Sequence, residues 1–145
     1  MNAPDNTIAQ NKKALFEYEI LERFEAGIVL KGAEIKAVRA KRVDISSGYV
    51  KIKGDEAWLI NMVLNGVAAE VASQTRKLLL HRFEISRMIG LSEQKGLTLI
   101  PLKMYFNHGK AKLEIGVAKG RKLHDKRELI KKRDINREQK QKVDL

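Results

Sequence analysis

The sequence predicts a mainly β fold with short helices: an OB-fold-like antiparallel barrel of about six strands, followed by a flexible basic C-terminal tail. Three observations lead there. Apolar and polar residues alternate with a period of two through much of the chain, and turn-forming pairs separate the alternating runs. Only two short stretches have a helical rhythm. Beyond Lys119 the alternation stops and basic residues crowd together. A curled antiparallel sheet with one face toward water satisfies such alternation; a ferredoxin-like sandwich is the alternative.

Residues 1–11 contain Pro4, Asp5 and three asparagines without periodicity, and read as a flexible lead-in to a barrel spanning 12–118. Phe16, Tyr18 and Ile20 alternate with Glu17 and Glu19, a half-buried strand. After a short turn, Phe24, Ala26, Ile28 and Leu30 repeat the pattern. Gly32 then opens a short helix with Ile35 and Val38 as its apolar stripe and Lys36, Arg39, Lys41 and Arg42 around it. Val50 and Ile52 begin a hairpin that turns at Gly54-Asp55 and returns through Trp58 and Ile60.

Residues 62–75 are rich in Ala and Val, with a turn at Asn65-Gly66, and fit either strand or loop. His81 to Ile89 places Ile85, Met88 and Ile89 on one helical side, with Gly90 as the expected stop. The strongest strand signal follows. Leu97 and Leu99 alternate, the phase slips at Pro101, and Leu102, Met104 and Phe106 alternate on the new phase, the pattern of a bulged or edge strand. Asn107 to Lys110 turns the chain into Ala111, Leu113, Ile115 and Val117.

Charge narrows the function. Lys and Arg number 29 against 18 Asp and Glu, for a net charge of +11 and a pI near 9.9. Residues 119–145 alone hold eleven Lys or Arg against five Asp or Glu, more than half of the excess. Such a surplus calls for a polyanionic partner. No apolar run approaches the roughly 20 residues of a membrane span, the N-terminus is polar, and there is no cysteine, so a cytoplasmic protein without disulfides is expected. The tail combines good helix formers with too little apolar surface to order by itself, which predicts disorder when free and a helix when laid on RNA.

No catalytic, metal or cofactor site is expected. His81, His108 and His124 are scattered and form no HExxH-type spacing. Gly27 to Gly32 is followed by Ala33 and lacks the Lys-Ser/Thr of a phosphate loop. Glu25, Glu34 and Glu114 offer paired carboxylates, but on so basic a chain such groups serve mainly as ion-pair partners. Basic clusters at Lys12-Lys13, Lys36 to Arg42, Arg76-Lys77 and the tail suit phosphates. Lys51 and Lys53 read as a solvated face. Phe16, Tyr18, Phe24, Tyr49 and Tyr105 are candidates for stacking on unpaired bases, with most of them assigned to the core; His124, in the tail, has no core to fill.

A series of motifs then carries a resemblance. Asn11-Lys-Lys-Ala14, Phe24-Glu-Ala-Gly-Ile28, Gly32-Ala-Glu-Ile-Lys36 and Val38-Arg39 come first. Arg76-Lys-Leu-Leu-Leu80, Gly96-Leu-Thr-Leu-Ile-Pro-Leu102, Tyr105-Phe106 and Ala111-Lys-Leu-Glu114 follow, then Gly116-Val-Ala-Lys-Gly-Arg-Lys122 and His124-Asp-Lys-Arg127. In this order they resemble the SsrA-binding protein (SmpB) family over about residues 11–133.

The resemblance implies an oligonucleotide-binding barrel with flanking helices and a tail unstructured in free solution. It implies binding to the tRNA-like domain of tmRNA, and delivery of that RNA, with elongation factor Tu, to stalled ribosomes for trans-translation. It places Asn11, Glu25 and Lys112 at the tmRNA elbow, with Leu79 beside them in the matched Arg-Lys-Leu-Leu-Leu stretch, where core packing is the alternative, and His81 after the triple leucine where the family often has Asn. Gly120 becomes a flexible joint between barrel and tail. His124 is implied to stack in the ribosomal decoding centre, with Asp125, Lys126 and Arg127 beside it. Arg121, Lys122, Lys131, Lys132 and Arg133 complete the tail contacts. The segment before Arg76 lacks the family's usual Asp-Pro loop, and the tail ends early at Lys142-Val143-Asp144-Leu145.

Overall fold

The computed structural model describes residues 6–121 together with 127 and 131. Seven strands form one antiparallel sheet in the order β1-β8-β9-β2-β7-β5-β4, and β3 (Val43–Asp44) pairs with β6 (Val63–Leu64) as a separate ribbon. The main strands are β1 (Thr7–Gln10), β2 (Tyr18–Ile28), β4 (Tyr49–Lys53), β5 (Glu56–Ile60), β7 (Arg76–Leu79), β8 (Leu97–Asn107) and β9 (Lys110–Gly120). The sheet curls until β4 lies beside β8, but no ladder joins them, so the barrel expected from the alternation is present in an unclosed form. Among residues 6–121 four helices accompany it: α1 (Lys12–Glu17), α2 (Gly32–Arg39), α3 (Ala69–Ala72) and α4 (Arg82–Ser92).

The hairpins follow their turn residues. Gly54 alone has positive φ (66°) in the two-residue β4–β5 loop, the pattern of a II′ turn, while His108 (52°) and Gly109 (75°) both do so between β8 and β9, the pattern of I′. The phase slip at Pro101 is a register shift between Pro101 and Lys103. A second shift, between Ile20 and Glu22, lies on β2, on the far side of β9. The main core sits inside the curl, where Leu59, Met62, Leu78, Met88, Met104, Leu113, Ile115 and Val117 are almost wholly buried. A smaller core of Ala14, Ile100, Leu102 and Ala118 lies apart from it, on strand residues one step out of phase with the inner set, and α1 covers it.

Several expectations need correction. Residues 7–10, read as a flexible lead-in, form β1 on the edge of β8. Phe16 belongs to α1 rather than to a strand, because Asn11 Oδ1 accepts the Ala14 N–H at 3.2 Å and caps a helix there. The two strands expected from 16 to 30 are one eleven-residue strand, the supposed turn being the bulge at Leu21. Residues 62–75 hold both β6 and α3. Gly90 does not stop α4, which continues to Ser92 as Leu91 packs on the core and offsets the glycine's cost of about 1 kcal/mol.

At the other end, Lys119 and Gly120 are still in β9, paired with Glu19 and Tyr18. Arg121 is tied down as well: its N–H donates to Glu17 O and its Nε to Tyr18 O. The ordered body therefore runs past residue 118. Arg127 and Lys131 are helical and exposed. His124, Lys122, Asp125, Lys126, Lys132 and Arg133 lie outside the described residues.

Candidate nucleic-acid interface

Strand register gathers the candidate residues. Gly27 of β2 stands opposite Leu79 of β7 on one side and Lys112 of β9 on the other, and Lys112 stands opposite Tyr105 of β8. The row Leu79–Gly27–Lys112–Tyr105 thus crosses four strands. Leu78, Ala26, Ile28, Leu113 and Met104, their neighbours in sequence, are turned into the core, so by alternation this row faces outward. Glu25, two residues before Gly27, lies on the same face and is exposed.

A cleft of about 570 Å³ opens here, lined by Glu25, Gly27, Leu79, His81 and Lys112, with Arg39 of α2, Glu84 of α4 and Lys110 at the β8–β9 turn. Four of the five expected body contacts therefore share one surface, although they come from three separate stretches of chain.

The chemistry of the surface is mixed. Leu79 is 53% exposed and adjoins Gly27, which has no side chain, so the floor is flat and apolar. Lys112, Lys110 and Arg39 supply cations at its edge. Glu25 accepts a hydrogen bond from the Tyr105 hydroxyl, and Arg23 pairs with Glu114 one register step away. Lys103 Nζ lies 5.7 Å from the Tyr105 ring centroid. Burial first, then the Glu25 hydrogen bond and the charges of Glu25 and Glu114, hold the Tyr105 phenol well above its usual range, so it stays a donor.

His81 is the N-cap residue of α4 and gives its backbone N–H to Glu84 Oε1 at 3.0 Å. Its ring stacks on Phe83, with centroids 5.6 Å apart and planes 8° from parallel. Phe83 is 73% exposed. This stacked pair at the cleft rim was not picked out in sequence, because Phe83 looks like one more apolar residue of a helix. Nor were Arg39 and Lys110 distinguished from other basic residues; only the fold brings them to the cleft.

Asn11 stands apart. It is buried, its amide Nδ2 donates to Pro101 O at 2.9 Å, and its Oδ1 caps α1. Gly120 takes ordinary strand geometry opposite Tyr18 and uses no left-handed angle. Of the stacking candidates, Phe24 is core, Tyr18 supports the small cluster under α1, and Tyr49 is exposed on β4.

Two matched motifs meet at a different site. Glu34 of α2 and Arg76 of β7 are both buried, and Arg76 Nε donates to Glu34 Oε2. The remaining guanidinium nitrogens reach Met62 O, Gln74 O and Val71 O, while Glu34 Oε1 accepts the Lys31 N–H at 3.0 Å. Every buried polar group of this pair is satisfied, which clamps α2 and the 62–75 segment to the sheet and sets one wall of the cleft. Among the described residues no group of His, Asp and Glu is arranged to hold a metal ion, and no helix is long and apolar enough to cross a membrane.

Comparison with known proteins identifies the family. The family model described as SmpB protein matches residues 8–144. An SsrA-binding protein of Gloeothece citriformis is 50% identical over 143 residues, covering 94% of this chain and 92% of its own. One from Limosilactobacillus reuteri is 50% identical over 139 residues, covering 92% and 88%. A solved structure described as "tmRNA-SmpB: a journey to the center of the bacterial ribosome" superposes with a TM-score of 0.66 at 43% identity, covering 88% of this chain and 95% of that one. With a family model that spans nearly its whole length and relatives half identical to it, the chain belongs to the SmpB family of SsrA-binding proteins.

Proposed function

We propose that this protein is a non-enzymatic RNA-binding factor that holds the tRNA-like domain of tmRNA in the β2–β7–β9 cleft. It delivers that RNA, together with elongation factor Tu, to stalled ribosomes in the cytoplasm for trans-translation. The observation that carries the reading is the convergence of Glu25, Leu79, His81 and Lys112 on one outward surface of a family member. Its chemistry suits a folded RNA better than a bare phosphate chain. The flat Leu79–Gly27 floor takes the face of a base or a ribose, Lys112, Lys110 and Arg39 meet phosphates, and Glu25 accepts from a base amino group. A carboxylate in such a place discriminates, since it repels phosphates and rewards only a correctly placed donor.

Asn11 lies outside the cleft and instead fixes α1 and Pro101. The tail is the second working part. Gly120 and Arg121 anchor its root on Tyr18 and Glu17, and Lys122, His124, Asp125, Lys126, Arg127, Lys131, Lys132 and Arg133 enter the vacant mRNA path as a helix near the decoding centre. The test is binding of labelled tmRNA by Lys112→Ala and Glu25→Gln. Lys112→Ala is expected to lower affinity by about one phosphate contact, with a correspondingly smaller salt slope. Glu25→Gln is expected to reduce the preference for tmRNA over bulk tRNA. Unchanged binding in both would remove the cleft from the account.

A further inference from the structure

A second outward surface lies further round the sheet, on β4, β5 and β7. Trp58 is the chain's one tryptophan. Its neighbours Ala57 and Leu59 are fully buried, so alternation turns Trp58 outward, and it is only half-buried. Register sets it between two lysines: Lys51 of β4 opposite on one side, Lys77 of β7 on the other. Lys51 and Lys53 are exposed, and among the described residues neither has a carboxylate partner. Lys77 shares its charge with Glu56 at 3.5 Å. A shallow groove of about 600 Å³ runs over this face, and it shares no lining residue with the cleft of the proposed tmRNA site.

We infer that this face is a second RNA contact, where one unpaired base stacks on Trp58 and the adjoining phosphates pair with Lys51 and Lys53. Its occupant is a single-stranded RNA segment. An indole offers a broad π face that any base can cover, but only when that base is free of its own duplex. Cross-strand lysines lie to either side of the ring, at the spacing of neighbouring strands, where the backbone of a stacked nucleotide must pass. Solubilising lysines need no aromatic between them, and a tryptophan placed for the core would face inward with Ala57 and Leu59. Glu56 stands opposite Lys53 in register and gives its carboxylate to Lys77, so of the three lysines on this face Lys51 and Lys53 keep their charge for phosphates.

The inference goes beyond the tmRNA reading and fails separately from it. With one tryptophan in the full chain, intrinsic fluorescence reports on this face alone. Titration with hexaadenylate is expected to give saturable quenching of Trp58, while a fully paired RNA duplex at equal phosphate concentration quenches little. Lys51→Ala combined with Lys53→Ala, both at exposed positions that leave the core intact, is expected to weaken the quenching several-fold. The salt slope should fall by about 1.4, two single-strand phosphate contacts at about 0.7 each. Lys112→Ala, on the other surface, should leave the quenching unchanged whatever it does to tmRNA binding. Absence of quenching, equal quenching by duplex, equal quenching by polyglutamate, or quenching indifferent to the two lysines would each overturn the inference.

Discussion

Glu34 and Arg76 are 42 residues apart in sequence and buried against one another, with hydrogen bonds taking up the rest of both groups. Removing one partner strands a charge in the interior. Arg76→Met is therefore expected to lower stability by about 3–5 kcal/mol, read as a fall in the urea midpoint, whereas replacing both residues by apolar ones of similar volume costs much less. Asn11→Ala loses the cap of α1 and the Pro101 contact, an expected cost of about 1 kcal/mol, with tmRNA affinity preserved at temperatures where the variant is folded. Tyr105 gives a pH signature. Its folded-state pKa is raised above the ordinary value of about 10, so its contribution is fully present below that pH and is lost as pH rises beyond it. Stability should thus decline on the alkaline side, and Tyr105→Phe should flatten that decline in urea titrations between about pH 9 and 11.

At the scale of elements, the two bulges decide which face each strand residue serves. They let Ile100, Leu102 and Ala118 form an outer cluster under α1 while Leu99, Met104 and Val117 stay in the main core. Gly116 lies beneath Leu102 in this arrangement, where a Cβ would stand 2.7 Å from Leu102 Cδ1. Gly116→Ala is expected to cost about 1–3 kcal/mol through displacement of Leu102, with a lower thermal midpoint and an unchanged far-ultraviolet spectrum.

This is also where reading from sequence succeeded and stopped. Period-two runs and turn pairs revealed β4, β5, β8 and β9 because each is a local pattern. Phe16, Tyr18 and Ile20 misled because the same spacing spans the join of α1 and β2, and only the Asn11 cap, a contact to Ala14, breaks it. The bulge at Leu21 looked like a turn for a similar reason: one extra residue shifts the phase, as a turn does. The cleft was legible only through family motifs, since strand order, not spacing, brings Leu79 beside Gly27 and Lys112. The Gly54-Asp55 turn already sets Lys51 opposite Trp58, but Lys77 on the other side comes only from strand order, and the lysines alone resemble any solvated strand.

For the whole molecule, charge and architecture divide the work. The body presents a cleft whose cations are Arg39, Lys110 and Lys112 beside the Glu25 carboxylate, while the segment from 119 onward carries more than half of the excess charge. Lys119 and Gly120 complete β9 and Arg121 is anchored to Tyr18, so the described body includes residue 121. Truncation after Arg121 is expected to leave tmRNA affinity within a few-fold of the full chain while abolishing tagging on stalled ribosomes. Loss of tmRNA affinity on truncation would contradict the two-part scheme. Folded recognition by the body also predicts a modest salt slope, because few phosphates are neutralised there.

The most direct test of that recognition is labelled tmRNA bound to the full-length protein and challenged with excess bulk tRNA at physiological salt. The account predicts that binding persists, and that Glu25→Gln makes it yield to the competitor. Displacement of tmRNA from the parent protein by bulk tRNA would contradict it, leaving a basic barrel that holds any RNA by its phosphates.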